Sequence, residues 1–185
     1  MNRHFFWMAS IILLLCGCAN PLNRVTSDNY AEDCALAEKN GNLKVAEQAC
    51  YRALVNVDMG NLGAELKSQR LYNLARIKRM VGKFDETDSL LTQSIQIEEK
   101  LSGYSSVKVG RRLAVLAMSY SQQNRISEGV PIVQRLIPIS DSYSGKEKIT
   151  VGAIFYVYSE ELKKSNQNDL SHQFYERATS LGYKP

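Results

Sequence analysis

The chain has 185 residues, of which 44% are apolar and 23% charged. That is enough for one folded domain with a core, and too apolar a chain to stay disordered. The net charge of +4 falls to about +3 without Arg3, the one Lys or Arg ahead of Cys18. So mild a balance does not point to nucleic acid as a partner.

The first element is an apolar run of eleven residues, Phe5 to Leu15, behind Arg3. A membrane-spanning helix needs roughly 20 such residues, so the run is too short to span and reads as a targeting segment. It ends in Leu15-Cys16-Gly17-Cys18. That tetrad resembles the lipobox of bacterial lipoproteins. The resemblance implies a signal peptide over residues 1–17, cleavage after Gly17, a diacylated sulfur on Cys18 and an acylated new amino group. An ordinary secretory leader cut near Ala19, with Cys18 incidental, is the alternative. A single acyl chain holds a protein only marginally and two or more hold firmly, at about 0.8 kcal/mol per buried methylene, so a lipidated Cys18 would keep the chain on the membrane. Neither Ala19 nor Asn20 is the aspartate that retains many lipoproteins at an inner membrane. By that family rule the expected address is the periplasmic face of an outer membrane. Residues 18–26 then read as the lipidated cysteine and a short polar tether.

From residue 27 to 185 the chain repeats itself, and repeats decide the fold before local structure does. Gly41, Gly82, Asn124 and Asn166 stand 41, 42 and 42 residues apart. Gly and Asn tolerate the left-handed backbone that ends many helices. Gly60, Gly103 and Gly145 form a second series, 43 and 42 apart, assigned to the end of each unit's second helix. In the second unit Leu71, Leu74, Ala75 and Lys78 make one helix face. Asp85 is placed to cap the next helix, and Ser144 with Glu147 reads as a capping box. No useful length alternates with a period of two, so strands are not expected. In the third unit Pro131 and Pro138 both fall where the second helix should run. Pro131 is tolerable in a first turn near Gly129, whereas Pro138 should kink or stop the helix, since proline inside a helix costs about 3 kcal/mol.

Gly41 with Ala46 and Ala53-Leu54, and Leu74-Ala75 with Gly82, resemble the tetratricopeptide repeat. Thr87 departs from the alanine usual there. The 42-residue spacing, Asn73-Leu74-Ala75 and the run Ile95 to Leu101 are closer to the longer repeats of kinesin light chain type. The resemblance implies an all-α fold, a tetratricopeptide-like α-solenoid of about four helix-turn-helix units in a short right-handed superhelix. It also implies that the first helix of each unit lines a concave groove. The repeat register puts Tyr72, Asn73, Arg76 and Arg79 there, then Arg111, Val115 and Met118, then Tyr156 and Glu160. Arginine and tyrosine are favoured interface anchors, and the arginines could pair with a partner's carboxylates; a merely solvated groove is the plainer alternative.

No catalytic constellation is found. His172 is the one histidine after Cys18 and reads as a surface residue beside an inward Ser171. Glu98-Glu99 and Glu160-Glu161 are adjacent and point about 100° apart on a helix. Metal spacings and phosphate loops are absent, so neither an enzyme nor a cofactor is expected beyond the covalent lipid on Cys18. Cys34 and Cys50 face each other across the first hairpin, offset by nearly a helical turn. That offset makes a disulfide marginal and two buried free thiols the favoured state. The expected function is a lipid-anchored envelope adaptor for a protein or peptide, similar to lipoproteins that help outer-membrane machines assemble. An accessory subunit of a cell-wall-active enzyme and a self-assembling structural lipoprotein are the alternatives.

Overall fold

The computed structural model describes residues 20–184. Cys18 and the leader lie outside them. The described chain is all-α. Eight α-helices run in order: α1 (Pro21–Lys39), α2 (Leu43–Met59), α3 (Ala64–Met80), α4 (Phe84–Ser102), α5 (Val107–Gln122), α6 (Ile126–Leu136), α7 (Gly145–Lys164) and α8 (Asn168–Ser180). Each helix packs on its chain neighbour, giving four helix pairs stacked in sequence. Helix α5 also touches α3 and α7, so the odd-numbered helices form the tighter inner layer. This is the α-solenoid of four helix pairs that the repeat resemblance implied.

The turns inside the four units fall where that spacing placed them. Gly41, Gly82, Asn124 and Asn166 have φ of 72, 79, 56 and 58°. The second glycine series behaves less uniformly. Gly103 ends α4 with φ 85°, but Gly60 keeps a right-handed conformation and Gly145 opens α7. At Gly60 the need is space, not φ. A Cβ there would stand 2.6 Å from that of Asn23, because the start of α1 lies across this turn. The left-handed residues of this loop are Asn61 and Gly63.

Four further expectations about helix boundaries need correction. Residues 21–26 are not a tether. Asn20 caps α1 by accepting from the Leu22 amide at 3.0 Å, and Pro21 sits at the first helical position. Proline is pre-organised there, where no amide donor is needed. Asp85 lies in the first turn of α4, and the cap position belongs to Lys83. Ser144 stands at the cap position of α7 without a side-chain capping bond, and the Glu147 carboxylate that would complete a capping box bonds Arg111 instead. Finally, Pro131 lies well inside α6, which begins at Ile126 and not near Gly129. Pro138 does end the helix: α6 stops at Leu136, after 11 residues against 19 in α4. A 3-10 turn, Ser140–Ser142, and the buried Tyr143 fill the space.

The core divides into two clusters. The first joins small residues of α1 and α2 (Cys34, Ala37, Ala46, Ala49, Cys50) to Leu71, Leu74 and Ile77 of α3. The second runs from Ala75 of α3 to the C-terminus and holds Tyr143, Phe155, Tyr158 and Phe174. Cys34 and Cys50 are bonded as a disulfide, with Cα atoms 5.2 Å apart. The free thiols expected from their offset are not found: the small residues of α1 and α2 let the two helices approach closely enough for the bond to close.

Candidate functional site

The inner face of the odd-numbered helices holds most of the predicted groove residues, but the structure uses several of them internally. Arg76 pairs with Glu38 of α1. Arg111 grips Glu147 of α7 through Nε at 2.5 Å and Nη2 at 3.0 Å. The bond from Arg111 holds the Glu147 carboxyl below its ordinary range. Asn73 accepts from Gln69 at 2.9 Å. Val115 is a core residue, 5% exposed, and offers a partner no usable surface. Met118 is half-buried against the second core cluster.

Tyr72 is half-buried between two guanidinium groups, 5.8 Å from that of Arg76 and 5.2 Å from that of Arg112. Burial pushes its phenol pKa up. Arg79 differs from its neighbours. Its Nη1 donates to Gln122 of α5 at 2.9 Å, and among the described residues it has no carboxylate partner. Its Nε is buried without a hydrogen bond. Burial, with the Arg76 charge adding to it, pushes this guanidinium below its ordinary pKa. In the last unit, Tyr156 stacks obliquely on Tyr183 at 5.2 Å and on Tyr175 at 6.4 Å. Glu160 lies one turn on, half-buried and without a salt bridge among the described residues. Arg76, Met118 and Glu160 occupy one register position in successive units, 42 residues apart. The inner face therefore carries an unmatched cation at Arg79 and an unmatched carboxylate at Glu160.

Two further arginines escaped the sequence reading. Arg70 reaches back to Ser27 at 3.2 Å and Asp28 at 2.5 Å. Arg112, one repeat later, binds Glu98 at 2.9 Å, Ser68 at 2.9 Å and Ser94 at 2.7 Å. Both arginine and serine recur at the repeat period (Ser27 and Ser68, Arg70 and Arg112), and that periodicity was the available signal. They tie each unit to the one before and are buried, so they present nothing to a partner. Ser171 and His172 form no nucleophile pair. Ser171 donates to the Ser159 carbonyl at 2.8 Å, and His172 is exposed beside Glu176.

No protein-family model matches the chain, and no curated protein matches it. Solved structures do. BtubC (BKLC) from P. vanneervenii superposes with a TM-score of 0.75 over 88% of this chain and 67% of its own, at 16% identity. Two structures of a kinesin-light-chain-type protein of nearly identical TPR-like repeats, from Podosopora anserina, give TM-scores of 0.65 and 0.66. Each is 16% identical and is matched over 84% of this chain and 74% of its own. At that identity the likeness shows the fold: a TPR-like repeat solenoid of the longer type.

Proposed function

We propose that this chain is a lipid-anchored envelope adaptor that holds a protein or peptide segment along its inner face. The observation that carries the reading is Arg79. Of the three arginines expected in the groove, Arg76 and Arg111 are neutralised by the neighbouring unit, while Arg79 is partly desolvated and meets only a neutral amide. A partner carboxylate there would form a charge-assisted bond and relieve an unpaired, half-buried cation. Glu160, toward the other end of the face, suits a basic residue of the same segment. A solenoid of stacked repeats offers an extended surface of this kind. The lipid anchor rests on the sequence before Asn20, and the envelope address on the same lipobox reading.

Two experiments test the proposal. Site-directed photo-crosslinking from Met118 in native cells should capture one partner, and Arg79→Glu with Glu160→Lys should reduce its yield at least about tenfold, the effect of losing roughly 1.4 kcal/mol. Unchanged capture would remove the site from this face. Fatty-acid labelling of the chain should vanish in Cys18→Ala; label that survives, or is absent from the wild type, would end the anchor reading.

A further inference from the structure

We infer that one rim of the solenoid lies flat on a lipid surface, so that the protein is docked on the membrane and not merely leashed to it; the inference rests on the acylated Cys18. The argument begins with α1. Helix α1 starts at Pro21, so Cys18 stands two residues before its capping Asn20. Two residues of chain span at most about 7 Å. An anchor at Cys18 therefore cannot hold the solenoid clear of the bilayer. It must bring the end of the molecule where α1 begins into the headgroup region.

That end is a defined rim. Every odd-numbered helix starts there and every even-numbered helix finishes there. The Asn20 amide donates to the Gly60 carbonyl at 3.1 Å, and Ser102 bonds Ser106 at 2.7 Å across the next such turn. The rim carries the most exposed large apolar side chains among the described residues. Met59 is 74% exposed, Tyr104 72% and Leu22 71%, with Val25, Leu101 and Ile149 beside them. The opposite rim has Leu36, Val45 and Met80, each less exposed than any of those three. Nothing in the fold explains why a soluble edge should present methionine, tyrosine and leucine at successive turns. An interfacial surface does: aromatic and aliphatic tips enter the headgroup boundary while the helices stay in water.

The charges agree. At this rim Asp58, Glu65 and Glu147 are each matched by a cation, Lys67, Lys108 and Arg111. Lys100 and Lys146 have no carboxylate partner among the described residues and are exposed. The surplus is positive, which suits anionic headgroups. The docked orientation also decides what the inner face sees. With the helix axes rising from the bilayer, the groove opens sideways, and Arg79, near the far end of α3, is held about a helix length, roughly 25 Å, above the lipid.

The test uses the full chain, purified acylated and reconstituted in vesicles of phosphatidylethanolamine and phosphatidylglycerol with brominated acyl chains. Trp7, the one native tryptophan, leaves with the leader on maturation and is replaced as Trp7→Phe so that uncleaved chain is dark as well; a reporter is placed by Tyr104→Trp on the rim or Met80→Trp on the opposite one. The rim reporter should shift to the blue and lose about half of its emission, as expected within reach of the acyl boundary, while the opposite reporter stays bright. Adding Met59→Glu and Leu101→Glu, both at exposed positions, should abolish the difference without loss of helicity. Equal quenching of the two reporters, or none at either, overturns the docking. Mass measurement of the same samples separates the two readings. An acylated chain with a bright rim reporter refutes the docking alone, whereas an unacylated one refutes the anchor. An unacylated chain that is still quenched leaves the docked rim standing and the anchor refuted.

Discussion

The two halves of the solenoid repeat the same helix pair but hold it together differently. In the first half the core is alanine and cysteine with a few leucines, and the junctions are polar, made by Arg70 on Ser27 and Asp28 and by Arg112 on Ser68, Ser94 and Glu98. In the second half the serine of this register becomes Gly110 and then Gly152. Aromatic side chains enter the vacated space: Tyr143 lies where a Cβ on Gly110 would stand, and Tyr183 does the same at Gly152. Ile154 takes the place of the arginine and is buried with Phe155 and Phe174. One backbone repeat can thus be cemented by charge, by a covalent bond or by aromatic burial, and the period does not reveal which.

The sharpest way to break this comparison is in the aromatic half. Phe155 is fully buried, edge-on to Phe174 at 5.7 Å. Phe155→Ala should cost about 3–5 kcal/mol in chemical denaturation, through lost burial and a cavity. A loss under about 1 kcal/mol would mean this core is not the main support. In the polar half, Glu98→Ala should cost about 3 kcal/mol, because it strands the buried Arg112 charge. If the loss is small, the serines alone satisfy the guanidinium. Reducing Cys34–Cys50, which closes a loop of sixteen residues, should remove about 2–3 kcal/mol. Hydrogen exchange should place that loss in α1 and α2 and leave α7 and α8 protected; uniform loss would show that the halves do not differ.

The smallest effect is with pH. Hydrogen bonds from Lys78 and then Lys83 lower the Glu47 carboxyl pKa, and Arg111 does the same to Glu147. A depressed folded-state pKa contributes stability that is complete above the unfolded value, about 4.3, and is lost as pH falls through the lower folded one. The urea midpoint should therefore be level between about pH 5 and 7 and decline below about 4. Glu47→Gln should flatten part of that decline; an unchanged profile would assign acid sensitivity elsewhere.

The fold was legible because its punctuation is chemical. Gly41, Gly82, Asn124 and Asn166 mark turns that few other residues can make, and Pro138 stops α6 for want of an amide and of space. The beginning of α1 was equally legible and was misread: Asn20-Pro21 is a cap followed by a first-turn proline. The groove was legible only as a face. Register places Arg76 and Arg111 on the inner helices, but Glu38 and Glu147 lie 38 and 36 residues away in other units. Which arginine remains unmatched depends on side-chain reach between units, and no local pattern records it. The disulfide turned on the spacing of two helix axes, which the small residues of α1 and α2 set jointly.

That disulfide also bears on the order in which the molecule is made. Both cysteines belong to the first hairpin, sixteen residues apart, and Leu71, Leu74 and Ile77 of α3 later complete the core around them. The bond can close as soon as residue 50 has entered an oxidising space. The first pair would then be cross-linked before α3 arrives to cover it, and each later pair would fold against a neighbour already in place.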